Sequence, residues 1–113
     1  MTPADSPPID PSLALLTAEV ERRFSAAESA GKTLGSRLKL DFGPDGIIHV
    51  DGSVVPLRVS NEDKDAACTI RIALTNFRQL LDGELDATSA FLQGLLKVDG
   101  AIGVALKLQS ALG

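Results

Sequence analysis

The sequence predicts an α+β fold in which one docking helix precedes four strands, two short helices, a fifth strand and a terminal helix. Three observations predict it. The spacing of apolar residues changes from about 3.6 to 2 after Gly31, turn chemistry recurs between the alternating segments, and helical spacing returns after Thr75. Helices grouped at both ends of a mainly antiparallel sheet read as α+β rather than as a βαβ repeat.

Residues 1–9 hold three of the six prolines and are expected to form a disordered tail, leaving 10–113 as a single domain. Asp10 and Pro11 form a helix-start signal, cap then first helical position. Leu13, Leu16, Val20, Phe24 and Ala27 then recur on one stripe, with Glu19, Glu21, Arg22, Arg23 and Glu28 around the rest. Gly31 ends this helix, whose role is to cover one side of the sheet.

From Arg37 to Phe42, Leu38, Leu40 and Phe42 alternate with Arg37, Lys39 and Asp41, which predicts a half-buried strand. Gly43-Pro44-Asp45-Gly46 is a turn, Ile47 to Val50 a second strand, and Asp51-Gly52 the strongest short hairpin signal in the chain. In the third strand Val55, Leu57 and Val59 share a face, and Pro56, which cannot donate to a ladder, argues for an edge or a bulge. The polar Asn61 to Asp65 segment turns the chain into a fourth strand, with Cys68, Ile70 and Ile72 on one face and Thr69 and Arg71 on the other. Three consecutive hairpins imply a meander.

Thr75 is read as the cap of a helix running to Asp82 with Phe77, Leu80 and Leu81 apolar, and Gly83 closes it. Asp86 is read as the cap of a second short helix, because its carboxylate can accept from first-turn amides and offset the helix dipole. Gly94 stops that helix, Leu95 to Val98 suits a strand, and Gly100 breaks it. In the last element, Ala101 to Leu112, the polar side chains are Lys107, Gln109 and Ser110, while Ile102, Val104, Ala105, Leu106, Leu108, Ala111 and Leu112 spread around much of the circumference. A surface helix needs one apolar stripe; this one must be covered on more than one side, by the sheet and by protein, a partner or an apolar ligand.

Composition excludes several function classes. A formal net charge of −4 lacks the basic footprint of a nucleic-acid binder, so no nucleic-acid partner is expected. An aromatic fraction of 4%, all Phe, leaves the core to Leu, Val, Ile and Ala. One cysteine, Cys68, rules out an intrachain disulfide and fits a reducing compartment. The amino terminus lacks a signal-peptide pattern, no run approaches the roughly 18 apolar residues that span a bilayer, and the end Ala-Leu-Gly is not a peroxisomal address. The expectation is a soluble cytoplasmic protein making at most transient membrane contact; no oligomeric state is specified.

Catalytic and metal readings find no support. His49 is expected as an exposed strand residue, and no Gly-x-Ser-x-Gly elbow accompanies any serine. Cys68, in phase with Ile70 and Ile72, is expected to be an inert buried thiol. One His and one Cys cannot furnish a zinc set. Glu62, Asp63 and Asp65 suggest a calcium loop until twelve-residue counting from Asp63 arrives at Leu74 instead of Glu. Gly100-Ala101-Ile102-Gly103 lacks both the spacing and the cations of a phosphate cradle. No enzyme activity and no cofactor are expected.

The ordered series Ala90, Phe91, Gly94, Lys97, Gly100, Ala105, Lys107 and Leu108, preceded by Gly83, Leu85 and Asp86, resembles the SCP2 (sterol carrier protein 2) sterol-transfer domain family. The resemblance extends more loosely from about Gly31 to Leu112. Family members often carry Lys where this chain has Leu95 and a polar or acidic residue where it has Ala101, so the region here is more apolar. The resemblance implies a five-stranded sheet with helices on one face and an apolar tunnel between them that accepts a lipid tail. As a set, Phe77, Leu80, Leu81, Phe91, Leu92, Leu95, Ile102, Leu106, Leu108 and Leu112 are assigned to the tunnel wall on that basis. Periodicity alone would place them in an ordinary core.

An empty apolar tunnel of a few hundred Å³ would cost several kcal/mol at about 24 cal/mol per Å³, against a total stability of roughly 5–15 kcal/mol. It is expected to be filled or partly collapsed, with the terminal helix as the door. The function implied is non-catalytic binding, and transfer, of a hydrophobic small molecule or lipid: a fatty acyl chain, an isoprenoid or a sterol-like molecule. The alternative is a protein-interaction scaffold or an accessory domain for a lipid-modifying enzyme, docking through the same apolar helix.

Overall fold

The computed structural model describes the backbone of residues 11–32 and 34–112 and the side chains of 13–32 and 34–108. The expected tail at 1–9 and the Asp10 cap lie outside the described residues. In chain order the elements are α1 (Pro11–Ser29), β1 (Arg37–Asp41), a single 3₁₀ turn (Gly43–Asp45), β2 (Ile47–Asp51), β3 (Arg58–Ser60), β4 (Cys68–Ile72), α2 (Leu74–Leu81), α3 (Ala87–Leu92), β5 (Leu96–Gly100) and α4 (Ile102–Leu112). Each of the five expected strands is present: β4 spans the expected Cys68 to Ile72, β1 and β2 differ at one end, and β3 and β5 at both.

The five strands form one sheet in the order β3-β2-β1-β4-β5. Three of its four pairings are antiparallel; β1 and β4 are parallel, with Leu38 opposite Cys68 and Leu40 opposite Ile70. This corrects the meander. Only the first two hairpins form, and the third connection carries the chain from the β3 edge back past β1. Residues 61–67 make that crossing over the outer face of the sheet, where Lys39 Nζ meets Asp63 Oδ1 at 2.7 Å and His49 Nε2 lies 3.0 Å from the Asp65 carbonyl oxygen. His49 is therefore only 2% exposed, not the exposed strand residue expected. Its position on the outer face is as alternation implies; the strap above it is what buries it.

Asp51-Gly52 does not make a two-residue hairpin. Asp51 pairs with Arg58, so six residues intervene, including a cis Val55-Pro56 bond. Asp51 Oδ1 instead accepts from the Ser53 amide at 3.0 Å, and the Gly52 amide donates to Ser36 at 2.9 Å, extending the β1 edge. Gly52 is needed for closeness, since a Cβ there would stand 2.6 Å from Leu34 Cβ. Pro56 precedes the short edge strand β3, as a residue without an amide hydrogen should.

The inner face carries Leu38, Leu40, Ile48, Val50, Cys68, Ile70 and Ile72, all buried, against the α1 stripe of Leu13, Leu16, Val20 and Phe24. Phe77 and Leu81 of α2, Ala90 of α3 and Val104 and Leu108 of α4 complete the same cluster, so the helices cover one face. Phe42 and Phe77 stack at a tilt with ring centroids 5.4 Å apart, an arrangement that suits their quadrupoles. The outer face is ionic: Arg71 bridges Asp41 and Asp99 across three strands at 3.4 and 2.8 Å.

Candidate functional site

The site is framed by two turns. After β4 the chain enters α2, whose cap is Ala73 with no side-chain hydrogen bond, so the reading of Thr75 as the cap is corrected: Thr75 lies inside the helix. Asp86, by contrast, caps α3 as expected, its Oδ2 accepting from the Ser89 amide at 3.0 Å. Gly94, at φ 76°, ends that helix and leads into β5. At the far end of β5, Gly100 adopts φ 96° where a side chain would collide with the Ala67 carbonyl; the next amide, Ala101, donates to that same oxygen at 2.9 Å. The sharp reversal lays α4 back over β4 and β5.

Among the described side chains of α4, one side is buried. Val104 and Leu108 face the core, Lys107 Nζ donates to the Leu34 carbonyl at 3.3 Å, and Ile102 and Leu106 remain 65% and 63% exposed. Among the described residues, no side chain covers the second surface expected of this helix. Beneath and beside it lies a cavity of about 460 Å³, open to solvent. Its floor is the inner face of the sheet at Ile70, Leu96 and Val98; its walls are Phe77 and Leu80 of α2, Leu85 of the following turn, Ala87, Thr88 and Phe91 of α3, and Ile102, Ala105, Leu106 and Leu108 of α4.

Of the residues assigned to a tunnel wall, Phe77, Leu80, Phe91, Ile102, Leu106 and Leu108 line this cavity. The others do not meet there. Leu81 is a core residue whose carbonyl accepts from Arg23 Nη2 at 3.0 Å. Leu92 points to solvent at 78% exposure, and Leu95 lines a separate depression with Asp41, Phe42 and Arg71. The Leu112 side chain lies outside the described residues. Ile70, Leu96 and Val98 line the cavity outside that assignment, as do Leu85, Asp86, Ala87, Thr88 and Ala105; for the strand residues the signal is period-2 phase, which sets Leu96 and Val98 on the inner face and the assigned Leu95 on the other.

Apolar carbon dominates the lining, and Asp86 is its one charged member among the described residues. Cys68 is fully buried under α4, with its sulfur close to the Ala105 backbone. Burial, aided by the charge of Asp99, pushes the thiol above its ordinary value near 9.0, which suits the expected inert thiol. Among the described residues no group of three or more His, Cys, Asp or Glu is placed to hold a metal, and no helix is long and apolar enough to cross a membrane.

A sheet covered on one face by helices, with an apolar pocket left between them, defines a small hydrophobic-cavity α+β domain. The chain belongs to the SCP-2 sterol transfer family, whose model matches residues 17–113. It is 36% identical over 107 residues to human sterol carrier protein 2, a match covering 85% of this chain; the chain spans 19% of that relative's length. Among solved structures, sterol carrier protein 2 like 2 from Aedes aegypti superposes with a TM-score of 0.72 at 16% identity, over 88% of this chain and 94% of that one. The sec-alkylsulfatase Pisa1 from Pseudomonas sp. contains the same fold, with a TM-score of 0.57 at 20% identity over 74% of this chain and 14% of the enzyme's.

Proposed function

We propose that this domain binds a hydrophobic ligand in the cavity between α2, α3, β5 and α4, without catalysing a reaction, and that α4 acts as the closing element for ligand entry. The observation that carries the reading is the combination of a roughly 460 Å³ apolar cavity with large exposed side chains, Phe91, Ile102 and Leu106, at its rim. Such groups in contact with water favour burial against hydrocarbon, at about 0.8 kcal/mol per methylene transferred. The chemistry asks for apolar bulk and few directional contacts, which admits acyl chains, isoprenoids and sterol-like molecules alike. Membership in a sterol transfer family and likeness to sterol carrier protein 2 support the same class of ligand, and support transfer as its use.

The experiment is native mass spectrometry of the purified chain with organic extraction of whatever co-purifies, followed by a thermal scan with added C16 and sterol ligands. The reading expects a 1:1 adduct and a raised Tm. A partner protein held through the same rim, with no adduct and no ligand-induced shift, would favour the scaffold reading and defeat this one.

A further inference from the structure

Independently of what the cavity holds, the sheet ends on one side at β5, an edge strand of five residues, whereas the opposite edge strand β3 has three. The register with β4 fixes which backbone groups of β5 are already paired. The Ala101 amide donates to the Ala67 carbonyl, so in this antiparallel ladder Lys97 and Asp99 turn their amides and carbonyls toward β4. Leu96, Val98 and Gly100 turn theirs outward, and among the described residues no other segment hydrogen-bonds to them. Side chains alternate in the same phase: Leu96 and Val98 lie on the inner face of the sheet, Lys97 and Asp99 on the outer. Asp99 accepts from Arg71 Nε at 2.8 Å through Oδ2 and is 62% exposed, which leaves Oδ1 available. Lys97 is exposed and has no ion-pair partner among the described residues.

An open edge of this kind is a template for a further strand, and its charges decide which strand fits. We propose that β5 is a self-association edge, at which two copies of this chain join antiparallel about a two-fold axis at Val98, with Lys97 of each copy opposite the partner's Asp99. In this register the outward groups of Val98 meet those of the partner's Val98, and those of Leu96 meet the partner's Gly100, so every outward amide and carbonyl of the strand finds a ladder partner. Moving the axis to Lys97 would set Lys against Lys, and moving it to Asp99 would set Asp against Asp, both unfavourable across a strand pair. A shift by a single residue would oppose inner-face to outer-face side chains. Of these registers the Val98-centred one alone pairs opposite charges, and two-fold symmetry makes it do so twice. The result is one continuous sheet whose ionic outer face runs through both copies.

The test is sedimentation velocity on the full chain and two variants. The parent is expected to form a dimer whose population rises with concentration and falls with added salt, which screens the Lys–Asp pairs. Lys97→Asp and Asp99→Lys each place like charges opposite one another, and each should raise the dimer Kd about tenfold. Mixed in equal amounts, the two variants become complementary, and the mixture should associate within about threefold of the parent. Such recovery also shows that both variants are folded. A parent that stays monomeric up to about 1 mM, association equally strong in either variant alone, or no gain on mixing would overturn the proposal. None of these results bears on ligand binding, which native mass spectrometry and extraction test separately.

Discussion

Gly94 and Gly100 share a left-handed backbone and differ in their surroundings, which separates two costs of substitution. At Gly94, φ 76°, an added Cβ meets nothing within 4 Å; at Gly100, φ 96°, it would stand 2.3 Å from the Ala67 carbonyl oxygen. Gly94→Ala should therefore cost about 1 kcal/mol of conformational strain, and Gly100→Ala at least ~3 kcal/mol because backbone must move, as read by urea denaturation. Cys68 gives a pH signature. Its folded pKa is raised by burial, so the neutral thiol is favoured in the fold. That contribution is complete below about pH 9 and is lost as pH rises through the folded value. Stability of the parent should fall more steeply above pH 9 than that of Cys68→Ala, measured by denaturation across pH 7–10. At this scale the sequence was informative wherever a residue's role is local. The Asp86 cap and the glycine turns follow from nearest-neighbour chemistry; the burial of His49 does not, because it depends on a strap that folds back from residues 61–67.

Among the elements, α4 divides into a structural side and a rim side. Val104→Ala, at a buried side chain that does not line the cavity, should cost about 1–3 kcal/mol as a core truncation and leave ligand binding unchanged, whereas Leu106→Ser should stay within ~0.5 kcal/mol of the parent and weaken ligand binding. Denaturation and ligand titration of the two variants together distinguish wall from core. Because Cys68 lies beneath α4, its reaction with a thiol reagent should slow when ligand is bound, if the helix is the closing element. The apolar circumference of α4 was evident from its composition, and so was its need for a second surface. Which surface it meets was not: β4 pairs with β1 in parallel rather than with β3, and strand pairing across thirty residues leaves no local mark. Likewise α2 begins at Leu74 after an Ala cap instead of at a hydroxyl, and its Phe77 packs against Phe42, a contact the local sequence does not show.

On the proposed reading, the whole molecule joins an apolar cavity, an ionic outer sheet face and a helix with one uncovered side into a single binding device. An occupied cavity adds stability by mass action: ligand at 100 times its Kd contributes about 2.7 kcal/mol, which in a domain of this size should raise Tm by about 10 °C. Fold class was legible from the change of period and the turn residues. The cavity was legible only as an excess of apolar surface, since the helices and the sheet each contribute part of its lining and no single segment carries it.

The most direct test is a methyl NMR titration of the full chain with hexadecanol. Saturable one-to-one shifts should appear at Ile70, Leu80, Leu96, Val98 and Ile102, while Leu13, Leu38 and Val50 on the α1 side stay fixed. Shifts that never saturate, or that gather on the α1 side instead of the cavity, would contradict the account.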